Sequence, residues 1–369
     1  MTETPEENYS EFGANLSRDY KSFQDFIRAS YINIYGKVTQ ETYKSYFNKR
    51  NQLKLKNETR ETASEILDTL PMYQLKAWSI RNLRRFKYSH PDVGIDTMVQ
   101  KQAPVVEKKL NDLISNAGDF LKLNPDIEIP DYYKWVDFHQ QPGGVWRDDV
   151  DGLIYDYGRA TTNPNQADPN QVYYDMWKKL PEDKKYERVL DWGTGHGGGI
   201  IAWMLNNPLS EGYGVDISSP CLKLAHVRAK EAGAKVRFSQ QDIANLNFKT
   251  NYFDMIFHMF MLHELPQKVT PSLFSEACRV LKPGGIFIGM ELALLKDIPS
   301  QHVLLQTDTW LNNEPYMASC IDADYKKIGL KAGFSSVEVI QVVRNTDAMG
   351  PITKDVPPKA TWNYYICEK

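Results

Sequence analysis

The chain has 369 residues, 42% hydrophobic and 25% charged, which is enough for one large α/β domain and a smaller second region. Its 44 basic and 47 acidic residues leave a net charge of -3, which offers no electrostatic footprint for nucleic acid or an anionic membrane. The start M-T-E-T-P-E-E-N has no apolar core and no run of about 18 apolar residues occurs, so a cytoplasmic protein without a signal peptide is expected.

In chain order, Tyr20, Phe23, Ile27, Tyr31 and Ile34 recur at the spacing of one helix face, and Val106, Leu110, Leu113, Ala117 and Leu121 repeat the pattern. Between them, Ile66, Leu67 and Leu70 before Pro71, then Met72 to Phe86, predict two shorter helices bounded by prolines. Arg81, Arg84, Arg85 and Lys87 form the densest basic cluster and read as a solvated helix face. Residues 1–150 are thus expected to be a helical lid or oligomerisation region. From Asn124 to Arg159 the chain is rich in aromatics, acids and turn residues without helical periodicity, and reads as connector and loop. His139, Gln140 and Gln141, before Pro142-Gly143-Gly144, either face water on a turn or face substrate or a metal.

Beyond Asn170 strands and helices alternate, which predicts a parallel sheet covered on both faces over 151–369. The expected strands are Val189 to Trp192, Tyr213 to Asp216, Val236 to Ser239, Phe253 to Met259, Ile286 to Glu291, Ser335 to Val343 and Thr361 to Cys367. Ser218-Ser219-Pro220 caps a helix over Leu222 to Ala232, and Leu273 to Leu281 and Tyr325 to Ala332 predict two more. Cys221, Cys278, Cys320 and Cys367 are widely spaced with no C-x-x-C pair, which predicts free buried thiols.

The segment R-V-L-D-W-G-T-G-H-G-G-G, Arg188 to Gly199, carries the strongest functional signal. An apolar strand ends in Asp191, turns through glycines and enters an apolar helix. Glycine permits both the turn and close approach of a ligand to bare backbone, and the helix start supplies free N–H groups. Gly193, Gly195 and Gly198 also satisfy the dinucleotide fingerprint, so the turn alone leaves a nicotinamide oxidoreductase open. Acids at three successive strand ends favour another cofactor. Asp191 can hold the turn or receive an ammonium group, Asp216 can accept ribose hydroxyls, and Asp242 can accept from the amine of adenine.

On these residues the chain resembles the class I S-adenosylmethionine-dependent methyltransferases, over Tyr186 to Lys369. D-W-G-T-G-H-G, G-V-D-I-S, Q-D-I, F-D-M-I-F-H-M-F-M-L-H-E-L and R-V-L-K-P-G-G are similar to that family's motifs. The resemblance implies a Rossmann-like seven-stranded sheet whose last strand, bearing Tyr364-Tyr365, runs antiparallel. It implies S-adenosylmethionine bound by Asp191, Gly193, Thr194, Gly195, Asp216, Ile217, Gln241, Asp242, Ile243 and Met259, with Tyr157 covering its methionine part. It is similar in type to small-molecule methyltransferases such as those of quinone biosynthesis, and implies an O-, C- or N-acceptor. Residues 1–150 and the insertion 292–324 depart from the family's common core and are expected to enclose that acceptor.

Methyl transfer from a sulfonium is an in-line displacement, so alignment and exclusion of water dominate. His263, oriented by its neighbour Glu264, is the expected base where one is needed, with His139 as a second. A site in which His139, His263 and Glu291 hold a metal ion, of the polyketide type, is a further alternative. A non-catalytic adenosylmethionine-binding scaffold, with the helical half engaging a partner or a second copy, is another.

Overall fold

A computed structural model describes residues 12–162, 170–293, 299–344 and 360–369. Eight strands form one sheet: β1 Leu121–Lys122, β2 Arg188–Trp192, β3 Glu211–Asp216, β4 Val236–Gln240, β5 Phe253–Met259, β6 Leu281–Ala293, β7 Ser336–Arg344 and β8 Ala360–Glu368. Their order is β1-β4-β3-β2-β5-β6-β8-β7. Strands β1 to β6 pair in parallel, while β8 runs antiparallel to both β6 and β7 and carries Tyr364 and Tyr365, opposite Met290 and Gly289 of β6. The strand order reverses between β2 and β5, and at such a switch point open α/β sheets leave a crevice beyond the strands' carboxyl ends.

Alternation along the strands fills two cores. Met255 and Phe257 of β5, and Ile286, Ile288 and Met290 of β6, pack in one core with Val172 and Met176 of helix Gln171–Trp177 and with helices Gly198–Asn206 and Ser219–Glu231. Ile256 and Phe287 face the other way, against Leu273, Phe274 and Ala277 of helix Thr270–Val280 and Tyr325 of helix Tyr325–Ala332. Both sheet faces are therefore covered, which is why these strands are near-continuous apolar runs. Ser218 caps its helix as expected, accepting the N–H of Cys221, and all four cysteines are free and buried.

The N-terminal helices follow the predicted stripes. Tyr20, Ile27 and Tyr31 are buried on helix Arg18–Asn33, capped by Ser17, and the proline-bounded pair forms as Arg60–Asp68 and Pro71–Ser89. Two expectations are corrected. The second stripe ends early: helix Ala103–Ile114 stops, Gly118 turns at φ +54°, and Leu121 opens β1 beside Phe238 of β4. This two-residue strand makes the sheet eight-stranded rather than seven. The stretch read as loop up to Arg159 ends in a helix, Asp151–Thr162, whose Leu153, Ile154 and Tyr157 join Val106, Leu110, Leu224 and Val227 in one core. Its period was hidden by Gly152 and Gly158, which are demanded by close packing against the Pro220 backbone and the Tyr88 ring.

The insertion contains helices Pro299–Asn312 and Met317–Ile321. Val303 and Leu304 pack with Tyr43, Tyr46, Ile66 and Leu67, and Leu311 packs with Ile27, Tyr31 and Ile80. The two departures from the common core thus cover each other. No described helix is long and apolar enough to cross a membrane. Because the Gly152 contact is with backbone, Gly152→Ala should force helix Asp151–Thr162 off its neighbour and cost about 1–3 kcal/mol, measurable as a lower urea midpoint with unchanged slope.

Candidate active site at the carboxyl ends of the strands

The turn after β2 is built from residues that only glycine serves well: Gly193, Gly195 and Gly197 have φ of +71°, +52° and +85°. Asp191 pins it. Its Oδ2 accepts the Thr194 hydroxyl at 2.8 Å and the Ile200 N–H at 3.1 Å, tying strand, turn and helix together. The Asp191 carboxyl is buried, and burial raises its pKa to about 7. Asp216 then meets the turn from β3, accepting the N–H of Gly195 at 2.8 Å and that of Ser218 at 2.9 Å, with a pKa raised by burial to about 6. Asp242, past β4, accepts the Ala244 N–H at 2.8 Å.

Beside the turn lies a cavity of about 830 Å³, partly open to solvent. Gly193, Gly195, Asp216, Ile217, Gln241, Asp242, Ile243 and Met259, all expected at the cofactor, line it together. Asp191 and Thr194 stand behind the turn and shape it. Glycine backbone next to acids at the ends of β3 and β4 fits a nucleoside joined to an amino-acid tail. Tyr157 does not join this set. Its hydroxyl accepts the Ala14 N–H at 3.0 Å and its ring lies in the N-terminal core. The ring that reaches the cavity is Tyr155, two residues earlier and on another face of the same helix.

The rest of the wall is aromatic and comes largely from the connector: Tyr132, Tyr133, Val145 and Tyr155, with Phe260, Met261, Glu264 and Leu265 following β5. The aromatic composition of 124–159 was the only sequence signal for the connector residues among them. Which rings turn inward is decided by short helices that composition does not reveal.

The histidines differ most from expectation. Glu264 does not orient His263. Glu291, from β6, does so at 2.9 Å from Nδ1, while its other oxygen accepts the N–H groups of Met261 and Leu262 at 2.8 and 2.6 Å. Burial alone would lower the His263 pKa, but Glu291 reverses this and raises it to about 9; the same pairing holds Glu291 below the carboxylate range. Glu264 instead meets His139, 2.9 Å from Nε2, and Glu314 lies 2.9 Å from Nδ1. Carboxylates only accept, so the two glutamates favour the protonated ring, while the Asn312 amide nitrogen also lies 3.1 Å from Nδ1. Its burial penalty is overcome by the two glutamates, raising its pKa to about 10, and His139 in turn overcomes the burial of Glu314, lowering that acid to about 2. The raised pKa values favour the charged form of both rings, which makes each a weaker base at neutral pH than the sequence led one to expect. The metal set is also divided: His263 pairs with Glu291, but His139 pairs with Glu264 and Glu314, and no cluster among the described residues could hold a metal ion.

Residues 189–285 match the family described as "Methyltransferase domain". Among curated relatives, the chain is 27% identical over 198 residues to the ubiquinone/menaquinone biosynthesis C-methyltransferase of Nitrosospira multiformis, covering 47% of this chain and 79% of that one. It is 34% identical over 134 residues to the cyclopropane-fatty-acyl-phospholipid synthase of Escherichia coli, covering 36% and 32%. It is 30% identical over 112 residues to the demethylmenaquinone methyltransferase of Thermus thermophilus, covering 30% and 50%. The chain thus spans most of the first relative and between about a third and a half of the other two. Residues 189–285 thus carry a methyltransferase domain, and its glycine turn and strand-end acids fit S-adenosylmethionine.

The histidine pairs carry a pH signature. A ring whose folded pKa is raised stabilises the fold fully below its ordinary 6.5 and loses that contribution as pH rises through about 9 for His263 and about 10 for His139. Asp191 and Asp216 act only at and below about 7, so they do not mask the alkaline loss. Wild type should lose melting temperature between neutral pH and about pH 10, and His139→Gln should lose several degrees less over that interval in thermal scans.

Proposed function

We propose that this protein methylates a small amphiphilic or aromatic molecule, of quinone-like or acyl type, bound against Tyr132, Tyr133, Tyr155, Phe260 and Glu264. The observation that carries this reading is the continuity of one cavity from the glycine turn and strand-end acids to an aromatic wall holding a single glutamate. Relatives of this chain include quinone and fatty-acid methyltransferases, which agrees with an acceptor of this kind.

S-adenosylmethionine supplies an electrophilic methyl group on a sulfonium. The chain's own part is to place the acceptor in line and keep water out. Gly193, Gly195, Asp216, Gln241 and Asp242 hold the cofactor, with Asp191 and Thr194 keeping the turn in shape. Tyrosine rings supply flat, apolar surface for an acceptor and present their faces to positive charge. Glu264 is the group that meets the acceptor, taking its proton where it has one to lose. Tyr133 donates to Glu264 Oε2 at 3.0 Å and His139 to Oε1, so the carboxylate is fixed in direction. His139 is a positioning residue, clamped from behind by Glu314, to which the Asn312 amide also donates. His263 and Glu291 hold the segment after β5 that carries Met261 and Glu264. The helices before residue 150 and the insertion close this wall from outside.

Titration calorimetry with S-adenosylhomocysteine tests the cofactor half: wild type should bind, Asp216→Ala should weaken binding roughly tenfold to a hundredfold, and binding should also fade as pH drops through about 6. A folded wild type that binds none sinks the reading, and a Asp216→Ala variant with full affinity removes that residue from the site. With a quinol or fatty-acid acceptor that supports turnover, Glu264→Gln should lower kcat on the order of a hundredfold with S-adenosylhomocysteine affinity unchanged. His139→Gln should lower kcat less and shift the pH profile, and equal loss of cofactor affinity in either variant would make its role structural. Absence of transfer to any quinol, phenol or acyl acceptor would rule out the proposed acceptor class while leaving the cofactor site standing.

A further inference from the structure

Helix Pro71–Ser89 contains no acidic residue but carries Lys76, Arg81, Arg84, Arg85 and Lys87. The basic cluster is not uniformly solvated: Lys76 and Lys87 are buried, and Lys87 donates to the Gly158 carbonyl at 3.1 Å. Arg81 and Arg85 remain on the exposed face. On that face Trp78 is 68% exposed, Leu75 49% and Phe86 46%. Leu75, Trp78, Arg85 and Phe86 fall within one stripe of the helix. The neighbouring helix Pro299–Asn312 adds Trp310, 77% exposed, whose carbonyl accepts from Arg81. Exposed tryptophans, a phenylalanine and a leucine interleaved with arginines are costly to leave in water and mark an interaction surface.

We infer that this face docks the protein on an anionic lipid bilayer. Tryptophan and arginine together match the headgroup boundary, where the ring sits among acyl carbonyls and the guanidinium meets lipid phosphate. A basic helix face without a single acid is complementary to a negatively charged leaflet, and the overall charge of -3 conceals this asymmetry. The rings are 46–77% exposed, so each can enter a fluid layer separately, whereas a folded protein partner would need a matching socket for each. The same two helices back the acceptor wall: Gln140, next to His139, donates to the Leu311 carbonyl. Docking would therefore set that wall close to the lipid. The inference rests on the surface alone and stands whichever acceptor the cavity takes.

Co-sedimentation with vesicles of phosphatidylcholine, and of equal parts phosphatidylcholine and phosphatidylglycerol, tests it. Wild type should bind the mixed vesicles, release them with added salt, and show a blue shift of tryptophan emission. Arg85→Glu should weaken this binding roughly twentyfold or more, since each basic charge near such a leaflet is worth about fivefold and reversal counts twice. Trp78→Ser should weaken it independently of salt. Both sites are exposed, and unchanged melting and S-adenosylhomocysteine affinity would confirm intact folding. No binding by wild type, or equal binding by both variants, overturns the proposal. Self-association of wild type that either substitution abolishes also overturns it, because the face would then join two copies of the chain.

Discussion

Everything in this site depends on a buried carboxylate at the end of β2. Asp191 accepts from Thr194 within the turn and from Ile200 in the first turn of the following helix, so one side chain fixes strand, turn and helix to each other. With the turn fixed, the Gly195 N–H points at Asp216 on the adjacent strand, and the edge of the cavity is set by backbone rather than by mobile side chains. A buried acid normally destabilises a fold, and here two donors and protonation near neutrality limit that cost. The constraint also explains why the turn needs glycines. Three left-handed residues in five positions cannot carry side chains without strain.

A second constraint is charge pairing behind the aromatic wall of the cavity. Two histidines and three glutamates from the connector, the segment after β5, β6 and the insertion meet in a largely buried layer. Burying any one of these charges alone would be prohibitive, but paired they hold four distant segments in register. The pairing favours the charged form of both rings, which weakens them as bases. What faces the cavity from this layer is Glu264, oriented from two sides.

The legible and illegible parts of the sequence divide along the range of the interactions. The glycine turn, the strand-end acids, the proline-bounded helices and the Ser218 cap are set by neighbours a few residues away, and spacing revealed them. Glu264 lies next to His263 in sequence but turns to His139, because the backbone between them is a short 3-10 turn that sends successive side chains apart. His263 finds Glu291 across the sheet instead. Tyr157 was expected at the cofactor, but a helix that composition hid from view turns it into the N-terminal core and brings Tyr155 to the cavity instead. The strand β1 has two residues, too few to show a period, and forms only because β4 offers a free edge.

The placement of the two departures from the common fold follows from the same logic. The helices before residue 150 expose apolar stripes that no sheet face remains to cover, since both faces are already occupied by helices of the α/β half. The insertion after β6 supplies that cover through Val303, Leu304 and Leu311. Its far end is thereby anchored where Glu314 can reach His139, and through it Glu264. Residues 189–285, the part shared with the methyltransferase-domain family, supply the turn and the acids of the cofactor side. Most of the aromatic wall and the clamp on its glutamate come from outside that range. Under the proposed function, selection among acceptors varies with the connector and the insertion while the cofactor side, held by Asp191, stays the same.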